Sequence, residues 1–327
     1  MEQTQTYRIF WQKRQDGGSR LLRICGMSSH VCIPSQIAGH PVVEIAPYCF
    51  AGNGRQLPRG YEMTLTGDRE LFLEELCGAA VEHVSLPDTV KEIGNCAFYN
   101  CRKLKTLHMG ESVCSIGSDA FMNTISLRRI LFRCPADKTS AAKQVLSQIS
   151  SDMEIEFVQN GNTQAKLFYP EYVETYDEIA PAHLFGRRIR GEGFRARQCF
   201  LDGRVDFAAY DAVFLQACVE ESEATLSQMA LCRLKYPYAL TDTKKIEYRN
   251  YVKSHSLNAA FRMIAQRNLE DLQFLCHEKL IDGANLALCV SKTAECGWPE
   301  GTAVLIRNQA EYAKKEKKNR YRLDAFF

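Results

Sequence analysis

Fourteen cysteines and seven histidines are the side chains of this 327-residue chain with the most chemistry to offer. A thiolate beside an imidazole makes a nucleophile, and paired Cys or His at fixed spacing hold zinc. Neither arrangement is written here. The chain has no C-x-x-C, no H-x-x-x-H or H-E-x-x-H and no G-x-S-x-G, and its nearest cysteine pairs, such as Cys25 with Cys32 or Cys96 with Cys101, have no matching second pair at zinc spacing. His183, near an acidic stretch and Cys199, is the one place where a Cys and a His could meet. Five arginines, Arg187, Arg188, Arg190, Arg195 and Arg197, could hold a nucleotide or phosphate, but GRRIRGEGF lacks the Lys-Ser/Thr ending of a phosphate loop. Glu171, Glu174, Asp177 and Glu178 just upstream offer the competing reading, charges paired across a turn. The expectation is no catalytic residue, no metal and no cofactor, with the arginines as an alternative anion site.

The elements that must position any site come from a repeat with a period of 23: Val84 with Leu107, Leu86 with Met109, Val90 with Val113, Ile93 with Ile116, Gly94 with Gly117, Ala97 with Ala120 and Phe98 with Phe121. A third unit begins at Leu127, and an earlier copy, IPSQIAGHPVVEIAPYCFAG, sets Ile45 against Ile93 and Phe50 against Phe98, each 48 apart. Apolar residues at positions one, four and six of a unit suit a short strand followed by a turn. One such unit cannot bury its own edge, so the units must stack into a solenoid whose strands form a parallel sheet. Residues 54–80 break the pattern, with strand-like YEMTLT followed by helix-like DRELFLEELCGAA.

The residues LPDTVKEIGNCAFYNC resemble the BspA-type leucine-rich repeat, and IPSQIAGHPVVEIAPYCF resembles that family's usual first unit. The resemblance covers about residues 7–133. Members of that family are often exported surface proteins. The first residues here are polar where an export signal needs an apolar core, and no window reaches the ~18 apolar residues of a membrane span. A cytoplasmic chain with reduced thiols is expected, its cysteines packing as small hydrophobes.

Inward positions one, four and six leave positions two, three and five facing solvent on the strand side, in three ladders: Glu82, Lys105 and Arg128; His83, Thr106 and Arg129; Ser85, His108 and Leu131. These form a mildly basic candidate binding face, weighed against a merely solvated one. Solenoids commonly bind ligands on such surfaces.

Beyond Phe132, DKTSAAKQVLSQIS reads as a helix and MEIEFV as a final strand that together close the solenoid. QNGNTQ, residues 159–164, reads as a linker, giving a solenoid over 1–160 and a helical domain over 161–327. Residues 166–205 are irregular in pattern; helices are expected at 210–220, 224–235, 241–254, 257–266, 269–278, 284–295 and 299–315. Alignments at 29, such as Ala265 with Ala294 and Leu275 with Val304, are similar to ankyrin-like hairpins over about 60 residues, without that family's Thr-Pro-Leu-His segment. The fold class expected is α+β, a short leucine-rich-repeat solenoid followed by an all-α helical-hairpin domain.

Forty-one basic against 39 acidic residues give a net charge of +2, so no nucleic-acid or membrane partner is expected. The basic tail AKKEKKNRYR reads as an exposed helix end. The function expected is a non-enzymatic scaffold for an unknown protein partner. The alternatives are a surface or host-directed adhesin-like protein exported without a classical signal, and a nucleotide or phosphate-ligand regulator at residues 187–197.

Overall fold

Alternation in YRIFWQK buries Tyr7, Ile9 and Trp11 on one face and makes the first strand of the computed structural model, which describes residues 5–52, 56–67, 72–179 and 184–323. This strand, β1 (Tyr7–Lys13), forms an antiparallel hairpin with β2 (Ser19–Gly26). Short strands β3 (His30–Cys32), β4 (Gln36–Ile37) and β5 (His40–Ile45) follow, then β6 (Glu62–Thr66) and β7 (Glu74–Glu75). β6 covers the outer edge of β1, while β5 pairs with β2 in parallel, so the hairpin closes the first end of the solenoid. The helix expected over DRELFLEELCGAA is absent from its described part. β7 pairs with β2, and residues 78–80 make one 3-10 turn. Tertiary packing overrides local propensity there: Gly78 turns at φ +54 against the backbone of Gly52 and donates its N–H to the Phe50 carbonyl at 2.8 Å.

The repeat then runs through β8 (His83–Ser85), β9 (Glu92–Ile93), β10 (Thr106–Gly110), β11 (Ser115–Ile116) and β12 (Arg129–Arg133). Strands β3, β8, β10 and β12 form one parallel sheet, and β5, β9 and β11 line a second. Val84, Leu107 and Ile130 sit in register in the core; on the other wall Ile45, Ile93 and Ile116 are in register, the first two buried and Ile116 half-buried. The repeat's glycine is needed for close approach. A Cβ on Gly94 would lie 2.4 Å from the Pro47 nitrogen, and one on Gly117 would lie 2.4 Å from the Asn95 nitrogen.

Helix α1 (Ala142–Leu146) closes the far end, shorter than expected and without a side-chain cap. Two glutamines do the closing. Gln144 accepts from the Ile116 N–H at 2.9 Å and donates to the Cys114 carbonyl at 3.0 Å; Gln148 accepts from the Ala120 N–H and donates to the Gly117 carbonyl, both at 2.9 Å. Each carboxamide replaces peptide groups that a further repeat would supply. Changing both to alanine is expected to cost about 2 kcal/mol in urea unfolding, since each hydrogen bond contributes roughly 0.5–1.5 kcal/mol. A loss under ~0.5 kcal/mol would mean that water replaces the caps unaided.

Strand β13 (Met153–Gln159) extends the parallel sheet beside β12, and β14 (Asn162–Tyr169) returns antiparallel to it. The expected linker at 159–164 is thus a hairpin turn, with Asn160 at φ 51 and Gly161 at φ 77. The irregular segment is likewise structured: β15 (Val173–Ile179) pairs with β16 (Leu184–Arg190), then come α2 (Gly193–Ala196), the pair β17 (Phe200–Leu201) and β18 (Arg204–Val205), and α3 (Phe207–Glu220). The chain divides into compact units at Met1–Glu220 and Glu221–Phe327.

The second unit is helical: α4 (Glu223–Lys235), α5 (Asp242–Ser254), α6 (Ser256–Gln266), α7 (Leu269–His277), α8 (Gly283–Glu295) and α9 (Pro299–Leu323). Ser222, Thr241, Asn268 and Asp282 cap α4, α5, α7 and α8 through their side-chain oxygens. The offset of 29 recurs in space. Arg249 pairs with Glu278, Asn285 donates to Ser256 at 3.5 Å, and Arg267 donates to the Cys296 carbonyl at 3.5 Å. Among the described residues no helix is long and apolar enough to cross a membrane.

Candidate binding face

Parallel pairing fixes which side chains meet on the outer side of the β3–β8–β10–β12–β13 sheet. One row runs His30, His83, Thr106, Arg129, Glu154, and the next Cys32, Ser85, His108, Leu131, Glu156. Positions two, three and five of each repeat do lie on this side, half-buried or exposed, while positions one, four and six are buried. The nine residues expected there are therefore brought together. Sequence reasoning omitted His30 and Cys32, which lie 53 residues from their partners in β8 because the stretch before Val81 interrupts the period. It also omitted Glu154 and Glu156, although MEIEFV carries them in plain alternation.

The face is less basic than its ladders suggest, because its charges are consumed locally. Lys105 pairs with Glu82 at 2.6 Å, Lys166 with Glu154 at 2.7 Å, and Arg133 with Asp88 at 2.8 Å. Arg129 donates from Nε to Glu156 at 3.0 Å, and Arg128 donates to the Ile125 and Leu127 carbonyls, each at 3.0 Å. Burial alone would raise the Glu156 carboxyl, but hydrogen bonds from Thr163 and Arg129 outweigh it and hold the group below its usual range. The histidines are the exception. The His30 and His83 rings lie 4.1 Å apart, and His83 Nδ1 is 2.5 Å from the Thr106 hydroxyl. Burial, then the neighbouring His30 and Lys105, lowers the affinity of His83 for a proton; burial, then Arg133 and Arg129, does the same to His108. Both imidazoles are uncharged at neutral pH.

The arginine segment does not converge. Arg187 makes a two-pronged bond to Glu174 at 2.6 and 3.0 Å across the β15–β16 hairpin, and Arg188 pairs with Asp177 at 2.9 Å. Arg190 is exposed opposite Val173, Arg195 pairs with Glu192 at 3.5 Å, and Arg197 is buried, with its guanidinium on backbone carbonyls. His183 lies outside the described residues. Cys199 is buried, and burial pushes its thiol up to about 11. The same cause raises Cys101 to about 12 and Cys276 to about 12, so these thiols stay protonated and pack as apolar groups. All fourteen cysteines are free, and among the described residues no three His, Cys, Asp or Glu side chains converge on a possible metal position.

The model of one repeat family, the BspA type leucine rich repeat region, matches residues 74–174 in 6 copies. Residues 74–174 are a BspA-type leucine-rich repeat region. Two solved structures are similar in part. One is a leucine rich cell surface protein from Faecalibacterium prausnitzii A2-165, at 24% identity over 37% of this chain and 27% of that chain, with a TM-score of 0.27. The other is the leucine-rich repeat protein of T. pallidum, at 21% identity over 39% of this chain and 70% of that chain, with a TM-score of 0.22. The chain therefore spans about a quarter of the length of the first of these. No curated protein sequence matches the chain. The candidate face spans strands within residues 74–174 and strand β3, which precedes the matched residues.

Proposed function

We propose that the chain is a non-enzymatic interaction scaffold whose leucine-rich-repeat strand face binds a protein partner. One observation carries this reading: five in-register strands present two continuous rows of side chains outward while their opposite face is buried. Such a surface is rigid and recognises by complementarity, with no covalent step. The helical unit, with its repeating contacts, supplies a second surface, and two modules on one chain raise the effective concentration of one partner near another.

The direct test is affinity capture on either side of the histidine range, comparing the native protein with a variant carrying Ser85→Glu and Arg128→Glu. Reversal of Arg129 is avoided because it would leave the buried Glu156 facing a second carboxylate. The variant is expected to lose a captured protein by about tenfold, the 1.4 kcal/mol of a modest interface contact, with unchanged thermal unfolding. Equal capture by both proteins, or capture of none, refutes the reading.

A further inference from the structure

We infer that this strand face is an acid-gated docking surface for a protein partner presenting clustered carboxylates, the gate being His83, against which the His30 ring lies, and His108; the inference rests on the strand-face reading above.

The argument starts from what faces these imidazoles. From β3 come His30 and Cys32; from β8 and its approach, Glu82, His83 and Ser85; from β10, Lys105, Thr106 and His108. From β12 and its approach come Arg128, Arg129, Leu131 and Arg133; from β13 and β14, Glu154, Glu156 and Lys166; and from the turn after β8, Asp88. The four acidic groups in this set are each held by a basic one: Glu82 by Lys105, Asp88 by Arg133, Glu154 by Lys166 and Glu156 by Arg129. Arg128 is satisfied by carbonyls. With neutral histidines the face presents little net charge to a partner, and each of its carboxylates already has a cation.

Acidification acts on His83 and His108, and because burial and the neighbouring cations lower their proton affinity, they charge only below the ordinary imidazole range, where the guanidiniums and the ion-paired carboxylates are still ionised. New positive charge then appears on His83 and His108, beside Lys105, Arg129 and Arg133 and with the His30 ring 4.1 Å from that of His83, while every nearby carboxylate is already engaged. That mutual repulsion is relieved by carboxylates from outside. Neighbouring strands lie about 4.8 Å apart, so an extended acidic segment crossing the strands can place a carboxylate at each ring. Proton uptake and partner binding are then coupled, each strengthening the other. A permanently charged polymer, such as a sulfated polysaccharide or a phosphate-rich lipid surface, is recognised through fixed cations, and here those are consumed. Leu131 and Ser85 between the charged positions also suit a polypeptide's mixed surface.

The test uses the full chain and a short fluorescein-labelled poly-aspartate peptide, with affinity read by fluorescence anisotropy in steps from about pH 7.5 down to about pH 5, a range that reaches below the ordinary imidazole value as the lowered proton affinity of His83 and His108 requires. Binding is expected to be at least ~10-fold tighter in acid, a coupling of ordinary size. A variant carrying His30→Gln, His83→Gln and His108→Gln should bring the affinities at the two ends of that range within about twofold, and His108→Gln alone should give an intermediate ratio. Glutamine keeps a hydrogen-bonding group for Thr106. Replacing His255 and His277 of the helical unit with glutamine should leave the ratio intact, which separates the face from the general rise in charge. Affinity that does not tighten in acid, tightening that survives the triple variant, or stronger binding of heparin or anionic vesicles than of poly-aspartate overturns the gate. The strand-face reading fails separately, when Ser85→Glu with Arg128→Glu captures as much partner as the native protein.

Discussion

Phe98→Ala is expected to destabilise the first unit by about 3–5 kcal/mol, the usual cost of deleting a buried aromatic ring and leaving a cavity. The ring has 0% exposure and is the middle member of a stack: Phe50 lies 5.0 Å away on one side at 4°, and Phe121 lies 5.7 Å away on the other at 7°. These three phenylalanines come from three successive units of the solenoid. In a solenoid each unit is stabilised by its neighbours, so removing the central ring weakens two interfaces at once. The local backbone depends on the same alignment, with the Phe98 N–H donating to the Ala120 carbonyl and the Phe50 N–H to the Ala97 carbonyl, both at 2.8 Å. Urea unfolding should show a lower midpoint, and hydrogen exchange should accelerate at Ile93 and Ile116 before it does in the helical unit. Phe98→Leu should cost distinctly less, because an aliphatic chain fills part of the space. A loss below ~1 kcal/mol for the alanine variant would mean that the stack collapses to refill the hole.

That stack was legible before any coordinates, because a fixed period states which residues neighbour one another. Phe98 and Phe121 are 23 apart in sequence and adjacent in space, as are Lys105 and Glu82, and Asn123 and Asn100. The direction of the side chains that β8, β10 and β12 turn outward on the candidate face followed from the same arithmetic plus strand alternation. Legibility ended where the period did. His30 pairs with His83 across 53 residues that include an irregular stretch; the matching segments His-Val-Cys-Ile-Pro at 30–34 and His-Val-Ser-Leu-Pro at 83–87 carry that signal, which steps of 23 pass over. Asn160-Gly161 read as a linker because turn chemistry is the same in a linker and in a tight hairpin. The alternation of MEIEFV before it and TQAKLFY after it favoured the hairpin. Helices α4 to α8 were placed within one residue because cap and apolar spacing agree there, as at Asn268, whose side chain accepts from the Asp271 N–H at 3.1 Å, whereas α9 runs to Leu323, past the expected end at 315. Ion pairing was invisible in detail: the sequence shows a run of acids before a run of arginines, and only the hairpin register sets Arg187 on Glu174 and Arg188 on Asp177.

Arg197 is where sequence and structure part most widely, and Arg197→Ala is expected to cost about 3–4 kcal/mol. In sequence it is the last of five arginines that could cradle an anion. In the fold it is 4% exposed and aims inward, donating to the Ile149 carbonyl at 3.0 Å, the Gly193 carbonyl at 2.9 Å, the Ser151 carbonyl at 2.7 Å and the Pro170 carbonyl. The guanidinium also lies 5.1 Å from the Tyr172 ring and 5.9 Å from the Tyr169 ring. Burial lowers its proton affinity to about 10, which still leaves it charged at neutral pH. The cation therefore ties the end of β14, the turn before β13 and the start of α2 together through carbonyl dipoles. The packing around it is tight enough that a Cβ on Gly193 would fall 1.9 Å from the Pro170 oxygen. Alanine would strand four carbonyls, each costing ~1–3 kcal/mol if left unsatisfied, with water entering the vacated space to offset part of that. For a unit of this size such a loss lowers the melting temperature by about 10 °C. Lysine keeps the charge but reaches one or two of the carbonyls, so Arg197→Lys should fall between the two. An anion-binding arginine behaves differently: its removal leaves stability nearly unchanged and abolishes stabilisation by added phosphate. A melting temperature within ~1 °C of the native protein, together with a lost response to phosphate, would return Arg197 to the anion site. The expected result is a large drop without ligand and the same response to phosphate in both proteins.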